Sequence, residues 1–245
     1  MNDFVVVIPS RLGSSRLKEK PLIDIAGKSL IQRVYERVQL CSTDQIYIAT
    51  DSKKIVDHVN SFTDQVVMTD NDLPSGSDRV YQCAKILELA NETKIINVQG
   101  DEPLIDPKSI DMTAKLLDKD NADVATLCSK FPDEKELMDE SNVKVTFSKN
   151  YRAQYFSRSI IPHNFTNQSL DYFKHIGIYG YSLKTLSEFV NLPISHLEQL
   201  EKLEQLRFLE NNFNIYLNVI EDNSIGVDTE ADLKQVRNFF NNETT

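Results

Sequence analysis

The sequence lacks any apolar run long enough to cross a bilayer, and it contains little cysteine. A membrane-spanning helix needs about 20 consecutive apolar residues, and no run approaches that length, so no membrane insertion is expected. The three cysteines, Cys41, Cys83 and Cys128, are odd in number and far apart. This spacing excludes a disulfide framework and a cysteine metal motif. We expect all three to be inert core or near-core residues.

Glycine is also scarce, with seven residues in 245, and the two best-known glycine-rich phosphate motifs are missing. No Gly-x-Gly-x-x-Gly occurs, which excludes the dinucleotide fingerprint of an NAD-dependent oxidoreductase. Gly27-Lys28-Ser29 looks like the end of a P-loop, but the upstream glycine is absent at the required spacing. Any phosphate site in this chain must therefore use another design.

Positive charge is in short supply over the whole chain and concentrated in one part of it. The formal net charge of −10 argues against nonspecific nucleic-acid binding, which needs a broad basic surface. Residues 11–37 nevertheless hold seven basic side chains against three acidic ones. A local cationic patch on an acidic protein indicates a small polyanionic ligand.

The N-terminal region has no basic stretch or signal cleavage region. It enters the apolar segment Phe4–Ile8 within three residues. A cytoplasmic location is therefore the expectation.

Short β-branched runs alternate with helical patterns in the first half of the chain. This alternation predicts a mainly parallel sheet covered by helices on both faces. The predicted strands are residues 4–8, 45–50, 65–68, 94–99 and 123–128, and the predicted helices are 29–40, 52–59, 77–89 and 107–117.

The second half is richer in strands. Strands are predicted at residues 143–147, 152–156, 175–181 and 215–219, and helices at 193–210 and 229–240. We expect a single domain over residues 1–245. The segment at Pro132 separates a first half, about 1–130, from a strand-rich C-terminal extension, about 131–245.

The loop after the first predicted strand combines small residues with cations. Gly13, Ser14 and Ser15 allow backbone N–H groups to approach an anion, and Arg11, Arg16 and Lys20 add positive charge. Ligands bind at the C-terminal ends of strands in open α/β sheets. A solvated basic loop is the alternative interpretation, but this placement favours a triphosphate site.

Two aspartates follow glycines at other element boundaries. Asp101 comes after an apolar strand in Gln99-Gly100-Asp101-Glu102-Pro103, and Asp228 lies in Gly226-Val227-Asp228-Thr229 before a predicted helix. Mg²⁺ takes one or two carboxylates together with substrate phosphates. A turn former at Asp101 and a helix cap at Asp228 are the alternatives, and the spacing alone does not decide between them.

Taken together and in order, these segments resemble the CMP-Kdo synthetase family, where Kdo is 3-deoxy-manno-octulosonate. Further matching blocks include Tyr155-Phe156-Ser157-Arg158 and His175-Ile176-Gly177-Ile178-Tyr179-Gly180-Tyr181. The match covers residues 4 to about 240, in segments 9–22, 49–51, 74–79, 97–103, 155–158, 175–181, 203–207 and 226–229. The resemblance implies a three-layer α/β/α fold like that of the nucleotide-diphospho-sugar transferases. It also implies a homodimer that joins CTP to Kdo with Mg²⁺ and releases pyrophosphate.

The resemblance also implies site residues. The nucleotide-binding set is Pro9, Arg11, Gly13, Ser14, Ser15, Arg16, Lys20, Ser75, Gly76 and Arg79. The catalytic set is Lys20, Arg16, Arg11, Asp101 and Asp228, of which the two aspartates hold the metal. The sugar-binding set is Gln99, Arg158, His175, Tyr179 and Glu204, with Arg158 suited to bidentate recognition of the sugar's carboxylate.

Two positions depart from the family pattern. Lys18-Glu19 stands where the family usually has Pro-Gly, and Ser77-Asp78 replaces Thr-Asp or Thr-Glu. Neither change removes a proposed ligand. The alternatives left open are a cytidylyltransferase for 8-amino-Kdo or sialic acid and a non-catalytic nucleotide-binding regulator.

Overall fold

Alternating strands and helices build the first half, as the apolar pattern predicts. A computed structural model describes residues 4–13, 17–166, 170–222 and 224–243. The predicted site residues Ser14, Ser15 and Arg16 lie outside these described residues. The strands are β1 (Phe4–Ser10), β2 (Asp24–Ile25), β3 (Lys28–Ser29), β4 (Ile46–Thr50), β5 (Val66–Met68), β6 (Lys94–Asn97) and β7 (Val124–Lys130). The helices are α1 (Leu30–Val38), α2 (Lys53–Val59), α3 (Gly76–Ile86) and α4 (Pro107–Leu116), with a short 3₁₀ helix at Lys20–Leu22.

The second half adds strands to the same sheet. Its strands are β8 (Lys144–Phe147), β9 (Ala153–Ser157), β10 (Phe173–Ser182) and β11 (Ile215–Ile220). Its helices are α5 (Glu134–Met138), α6 (Leu183–Val190), α7 (His196–Glu201), α8 (Gln205–Glu210) and α9 (Glu230–Glu243). None of the helices in the described residues is both long and apolar enough for a membrane span.

One nine-stranded sheet organises the described part of the chain. Its main path is β11-β7-β10-β6-β1-β4-β5, and β8 and β9 extend it from β10. β1 is parallel to both β4 and β6, whereas β10 is antiparallel to β6 and β7. The prediction of a mainly parallel central sheet is therefore confirmed, with β10 as the reversed strand. Strands from both sides of Pro132 belong to this sheet.

Local capping explains why several helices begin where they do. The side chains of Ser29, Ser52 and Ser75 each accept a hydrogen bond from a backbone N–H in the first turn of α1, α2 and α3. Asp106 does the same for α4, which has proline in its first turn. Such oxygens satisfy N–H groups that have no partner within the helix.

The prediction of one long helix at residues 193–210 is wrong, because the chain forms two short helices there. Lys202 adopts a left-handed conformation with φ of 54° and ends α7. Helix α8 then begins at Gln205. The prediction rested on the leucine repeat between residues 197 and 209. A regular spacing of apolar residues does not reveal that one residue within it adopts a left-handed conformation and ends the helix. Helices α5 and α6 and the β2–β3 pair were not predicted.

Apolar side chains on both faces of the sheet form two core clusters. Ile8, Ile31 and Ile96 belong to the first, which α1 and α4 cover, and Val7, Val80 and Phe189 to the second, which α3 and α6 cover. Cys83 and Cys128 are buried, and Cys41 is half-buried. With its backbone groups paired and both faces covered, the sheet provides a rigid edge on which a site can be built.

Candidate active site

The C-terminal ends of β1 and β6 lie side by side and carry the predicted ligands. Parallel pairing of these strands places the loop after Ser10 next to Gln99-Gly100-Asp101. The backbone N–H of Val227 donates to the carbonyl of Asp101 at 2.8 Å. This bond brings the turn that carries Asp228 to the same edge.

Lys20 joins the two aspartates. Its Nζ atom lies 2.6 Å from Oδ2 of Asp101 and 2.8 Å from Oδ1 of Asp228. Burial disfavours the charged lysine, but the two carboxylates outweigh burial and raise its pKa above the ordinary value. The three groups therefore form a charged cluster in which both carboxylates converge on one cation.

Two glycines permit this close packing. A Cβ atom at Gly100 would lie 2.8 Å from the carbonyl oxygen of Pro9, and one at Gly226 would lie 2.8 Å from Oε1 of Glu102. Either clash requires movement of backbone or of a buried carboxylate. Glycine is therefore needed at both positions for the aspartates to reach the sheet edge.

A cleft of about 370 Å³ opens beside the cluster. Lys20, Asp101 and Asp228 line it together with the first turn of α3. It is lined by Pro9, Ser10, Arg11, Gly13, Lys20, Pro21, Leu73, Pro74, Ser75, Gly76, Arg79, Gln99, Gly100, Asp101 and Asp228. The structure thus brings together all the described residues that were predicted to bind the nucleotide. Sequence reasoning missed Ser10, Pro21, Leu73, Pro74 and Gly100, and all of these except Leu73 are adjacent to a predicted site residue.

Arg79 lines the cleft and forms a buried ion pair with Asp51. Its guanidinium donates to Oδ2 of Asp51 at 2.7 Å and to the hydroxyl of Thr69 at 2.5 Å. Only 5% of the Arg79 side chain is exposed, so the pair is largely shielded from water. The orientation of Arg79 is therefore set by Asp51, which lies in the segment 49–51 that matches the family pattern.

A second, smaller cavity of about 120 Å³ shares Gly76 and Gln99 with the cleft. Three of the predicted sugar-binding residues, Gln99, Tyr179 and Glu204, line it. The other lining residues are Ser77, Asn97, Tyr181, Gln205 and Phe208, which were not predicted. Strand alternation offers a signal for two of them, because Asn97 and Gln99 are two residues apart, as are Tyr179 and Tyr181.

Glu204 is the acidic group of the small cavity. Its Oε2 atom accepts a hydrogen bond from the hydroxyl of Ser77 at 2.9 Å, and its buried Oε1 atom has no hydrogen-bond partner among the described residues. Burial raises the pKa of Glu204, and the hydroxyls of Ser75 and Ser77 oppose that shift. An unpartnered buried carboxylate oxygen is costly unless a ligand hydroxyl or amine donates to it.

The other two predicted sugar-binding residues do not line either cavity. Nε2 of His175 lies 3.0 Å from the hydroxyl of Thr126, and its ring lies 5.3 Å from that of Tyr179. Burial lowers the pKa of His175 to about 3, so its imidazole is neutral near pH 7 and packs against the ring of Tyr179. The guanidinium of Arg158 donates to carbonyl oxygens near the end of α7.

The cluster suits a hard divalent cation. Asp101 and Asp228 already face one positive charge, the ammonium of Lys20. Within the described residues, no group of three or more histidine, cysteine or acidic side chains is arranged to hold a metal. A site with two carboxylates leaves most coordination positions to substrate oxygens and water, which is the usual environment of Mg²⁺ in phosphate-binding enzymes.

The fold and this edge of the sheet define a nucleotidyltransferase. A solved cytidylyltransferase from Leptospira borgpetersenii serovar Hardjo-bovis (strain JB197) has a TM-score of 0.61 over 96% of this chain and 85% of its own. At 17% identity, that likeness shows the fold alone.

The chain belongs to the cytidylyltransferase family, whose model, described as cytidylyltransferase, matches residues 5–220. It is 45% identical to the 3-deoxy-manno-octulosonate cytidylyltransferase of Francisella tularensis subsp. novicida (strain U112), over 98% of this chain and 100% of the relative. It is 43% identical to the 8-amino-3,8-dideoxy-manno-octulosonate cytidylyltransferase of Shewanella sp. (strain W3-18-1), over 94% of this chain and 96% of the relative. The solved structure of a CMP:2-keto-3-deoxy-manno-octonic acid synthetase complexed with CTP matches with a TM-score of 0.91 and 40% identity, covering 98% of each chain.

Proposed function

We propose that this chain is a CMP-Kdo synthetase that transfers CMP from CTP to Kdo, releases pyrophosphate and supplies CMP-Kdo for lipopolysaccharide biosynthesis. The observation that carries the proposal is the bridge from Lys20 to Asp101 and Asp228 at the edge of a cleft. The named relative of 45% identity and the CTP-bound structure of 40% identity support the same substrates.

The two cavities divide the substrates between them. The cleft of about 370 Å³ takes CTP, with its phosphates near Lys20 and Arg11 and its base near the first turn of α3. The smaller cavity takes the sugar acid, whose hydroxyl groups donate to Glu204. Because Gly76 and Gln99 line both cavities, the two substrates meet at the strand ends.

The reaction joins the anomeric hydroxyl of Kdo to the α-phosphorus of CTP. A new phosphorus–oxygen bond forms as the bond to the pyrophosphate oxygen breaks, and the hydroxyl proton passes to solvent. Negative charge builds on the phosphate oxygens, so the cations Lys20, Arg11 and Arg16 stabilise the transition state.

Asp101 and Asp228 would hold Mg²⁺ in this scheme. When bound, the ion supplies charge neutralisation and lowers the pKa of a coordinated hydroxyl. The protein's own part is to keep the two carboxylates converged, through Gly100, Gly226 and the hydrogen bond from Val227 to Asp101.

A sugar panel tests the proposed activity most directly. Pyrophosphate release is measured with CTP and Mg²⁺ and with Kdo, 8-amino-Kdo or sialic acid in turn. Kdo is expected to give the highest kcat/KM. The 8-amino sugar is the second candidate, because a relative of nearly equal identity is named for it. Higher kcat/KM with 8-amino-Kdo or sialic acid would move the chain to that specificity. Absence of pyrophosphate release with every one of the three sugars would favour a non-catalytic nucleotide-binding regulator.

The metal assignment has its own test. Asp101→Ala and Asp228→Ala should lower kcat by several orders of magnitude while the circular dichroism spectrum and Tm stay near those of the wild type. Asp57→Asn is the matched control, since Asp57 lies in an exposed ion pair with Lys53 on α2 and should retain full activity. Near-normal turnover in Asp101→Ala would end the assignment.

The homodimer that the family resemblance implies and the cytoplasmic location expected from the sequence both remain predictions. Light scattering on the purified chain measures the first, and fractionation of the producing cell measures the second.

A further inference from the structure

The turn that carries Asp228 is held by a side chain four residues further along the chain. Oδ2 of Asp232 accepts hydrogen bonds from the backbone N–H of Asp228 at 3.1 Å and from that of Thr229 at 2.7 Å. The hydroxyl of Thr229 donates to the same oxygen at 2.8 Å and accepts the backbone N–H of Asp232 at 3.2 Å. One carboxylate oxygen therefore meets three donors, and Thr229 and Asp232 form a reciprocal capping box at the start of α9, with aspartate in place of the usual glutamate.

Helix α9 gives this capping box a fixed base. Leu233 and Val236 are buried in the first core cluster, so the helix cannot shift without opening the core. Nε of Arg237 donates to the carbonyl of Asp24 at 2.9 Å, which joins α9 to β2, the strand just after the 3₁₀ helix at residues 20–22. The first turn of α9 is thus held in place by contacts that do not involve Asp228.

The residue before Asp228 is fixed by a second set of contacts. Val227 is fully buried, and its backbone N–H donates to the carbonyl of Asp101 at 2.8 Å. Asp228 therefore lies between an anchored residue and a capped helix. Because 53% of the Asp228 side chain is exposed, its direction toward Lys20 depends strongly on how the backbone of this turn is held.

We propose that Asp232 is a positioning residue, which fixes the turn before α9 so that the carboxylate of Asp228 faces Lys20, and the metal ion when one is bound. Among the residues that the structure describes, Asp232 does not line the cleft, so it acts through Asp228. The inference rests on the proposed function, in which Asp228 holds the metal. Groups that orient a metal ligand commonly contribute a factor of about 10–100 to metal affinity or activity.

The dependence of turnover on Mg²⁺ tests the inference. Asp232→Ala should raise the Mg²⁺ concentration for half-maximal activity about tenfold or more and leave the KM for the sugar unchanged. Asp232→Asn should largely restore the Mg²⁺ dependence of the wild type, because its amide oxygen accepts the same donors and asparagine caps helices about as well as aspartate. Thr229→Val keeps the charge of Asp232 but breaks the reciprocal pair, so it should shift the Mg²⁺ dependence in the same direction as Asp232→Ala.

A role for the charge of Asp232 in attracting the metal gives the opposite pattern. Asp232→Asn would then be as impaired as Asp232→Ala, and Thr229→Val would behave like the wild type. That pattern would overturn the proposal.

A matched helix cap and a double variant separate positioning from general stability. Ser182 caps α6 by accepting the backbone N–H of Thr185 at 3.0 Å, and it pairs with Lys94 at the start of β6, away from the strand ends that carry the site. Ser182→Ala and Asp232→Ala should both lower the Tm by about 2–4 °C, but only Asp232→Ala should change the Mg²⁺ dependence. In the Asp228→Asn background, Asp232→Ala should have little further effect on turnover. An equal shift of the Mg²⁺ dependence in Ser182→Ala, or full additivity with Asp228→Asn, would refute the positioning role.

Hydrogen exchange, followed amide by amide, provides a readout that needs neither substrate nor metal. Asp232→Ala should accelerate exchange at Val227, although this substitution does not remove the hydrogen bond from Val227 to Asp101, and should leave residues 94–97 of the central sheet unchanged. Faster exchange confined to residues 228–233 would mean that Asp232 only caps the helix, and the proposal would fail. Near-normal turnover in Asp228→Ala, with faster exchange at Val227 in Asp232→Ala, would instead reject the metal assignment in the proposed function and leave the placement of Asp228 by Asp232 intact.

Discussion

At the scale of single residues, Lys20 determines whether Asp101 and Asp228 are available to bind a metal ion. Its ammonium lies between Asp101 and Asp228 at hydrogen-bond distance from both. A cation of the protein therefore occupies the place where the two carboxylates would share a metal. For both aspartates to hold Mg²⁺, Lys20 must turn toward the phosphates, where the proposed reaction needs it.

Lys20→Met should therefore separate metal affinity from turnover. Without the ammonium, the two carboxylates repel each other and attract an external cation more strongly. We expect tighter Mg²⁺ or Mn²⁺ binding to the nucleotide-free protein, measured by calorimetry, together with a kcat lowered by orders of magnitude. Lys28→Met is the control, since Lys28 pairs with Glu36 outside the cleft. Metal binding no tighter than in the wild type would contradict this view of Lys20.

Burial of His175 should make the folded protein less stable in acid. Burial lowers its pKa from 6.5 to about 3, so the folded protein disfavours the proton that the unfolded chain accepts. Stability from this group is full above pH 6.5 and is lost as the pH falls toward about 3. His175→Gln removes the titration and keeps a hydrogen-bonding group near Thr126. On going from pH 7.5 to pH 5.0, the free energy of unfolding should fall by about 2 kcal/mol less in the variant than in the wild type.

Urea unfolding at pH 7.5 and pH 5.0 measures this difference for both proteins. His163→Gln serves as the control, because His163 is exposed and its replacement should not change the pH dependence. Equal losses in the wild type and His175→Gln would show that His175 does not remain neutral on folding.

At the scale of elements, the 3₁₀ helix that carries Lys20 begins from an unusual residue. Glu19 precedes it with φ of 52°, a left-handed conformation that disfavours side chains with a Cβ atom. Its carboxylate lies 2.6 Å from Nζ of Lys54 at the start of α2. The departure from the family's Pro-Gly therefore replaces conformational freedom with a contact between two elements.

Comparison of Glu19→Gly with Glu19→Ala tests this account. Both variants lose the contact with Lys54, but only glycine adopts the left-handed conformation without strain. We expect Glu19→Gly to melt about 2–4 °C above Glu19→Ala, as measured by calorimetry. In the middle of a helix the order would be reversed, so an alanine variant of higher Tm would show that residue 19 is not held at positive φ.

At the scale of the whole molecule, the cleft unites distant parts of the chain. Lys20 and Asp228 are 208 residues apart in sequence, and the first turn of α3 also lines the cleft. A ligand that fills the cleft therefore stabilises the folded chain as a unit.

CTP with Mg²⁺ should raise the Tm by about 5–10 °C at a ligand concentration near 100 times Kd, because such binding contributes about 2.7 kcal/mol. Asp228→Asn should reduce this rise, since it removes one of the two carboxylates that would hold the Mg²⁺ of the metal–nucleotide, while Asp57→Asn should leave it intact. Thermal scans with and without ligand measure it. A full rise in Asp228→Asn would place the metal–nucleotide away from the Lys20 cluster.

Much of the architecture follows from local patterns in the sequence. The alternation of apolar strands and capped helices predicted a mainly parallel sheet. The charged turn after β1 predicted a phosphate site that includes Arg11, Gly13 and Lys20, and these three residues line the cleft. These features depend on residues close together in sequence, where period and capping act directly. The family resemblance brought in Asp101 and Asp228 as a pair.

Other features depended on tertiary contacts. The break at Lys202 divides an apolar repeat that looks continuous, and the reversed direction of β10 is set by its partners β6 and β7. The small cavity gains Asn97 and Gln205 from separate elements, and Arg158 meets carbonyls that no side-chain pattern encodes. The sequence by itself determined which residues carry charge and which faces are apolar. Only the folded chain decided which of those groups meet, because their partners come from long-range packing.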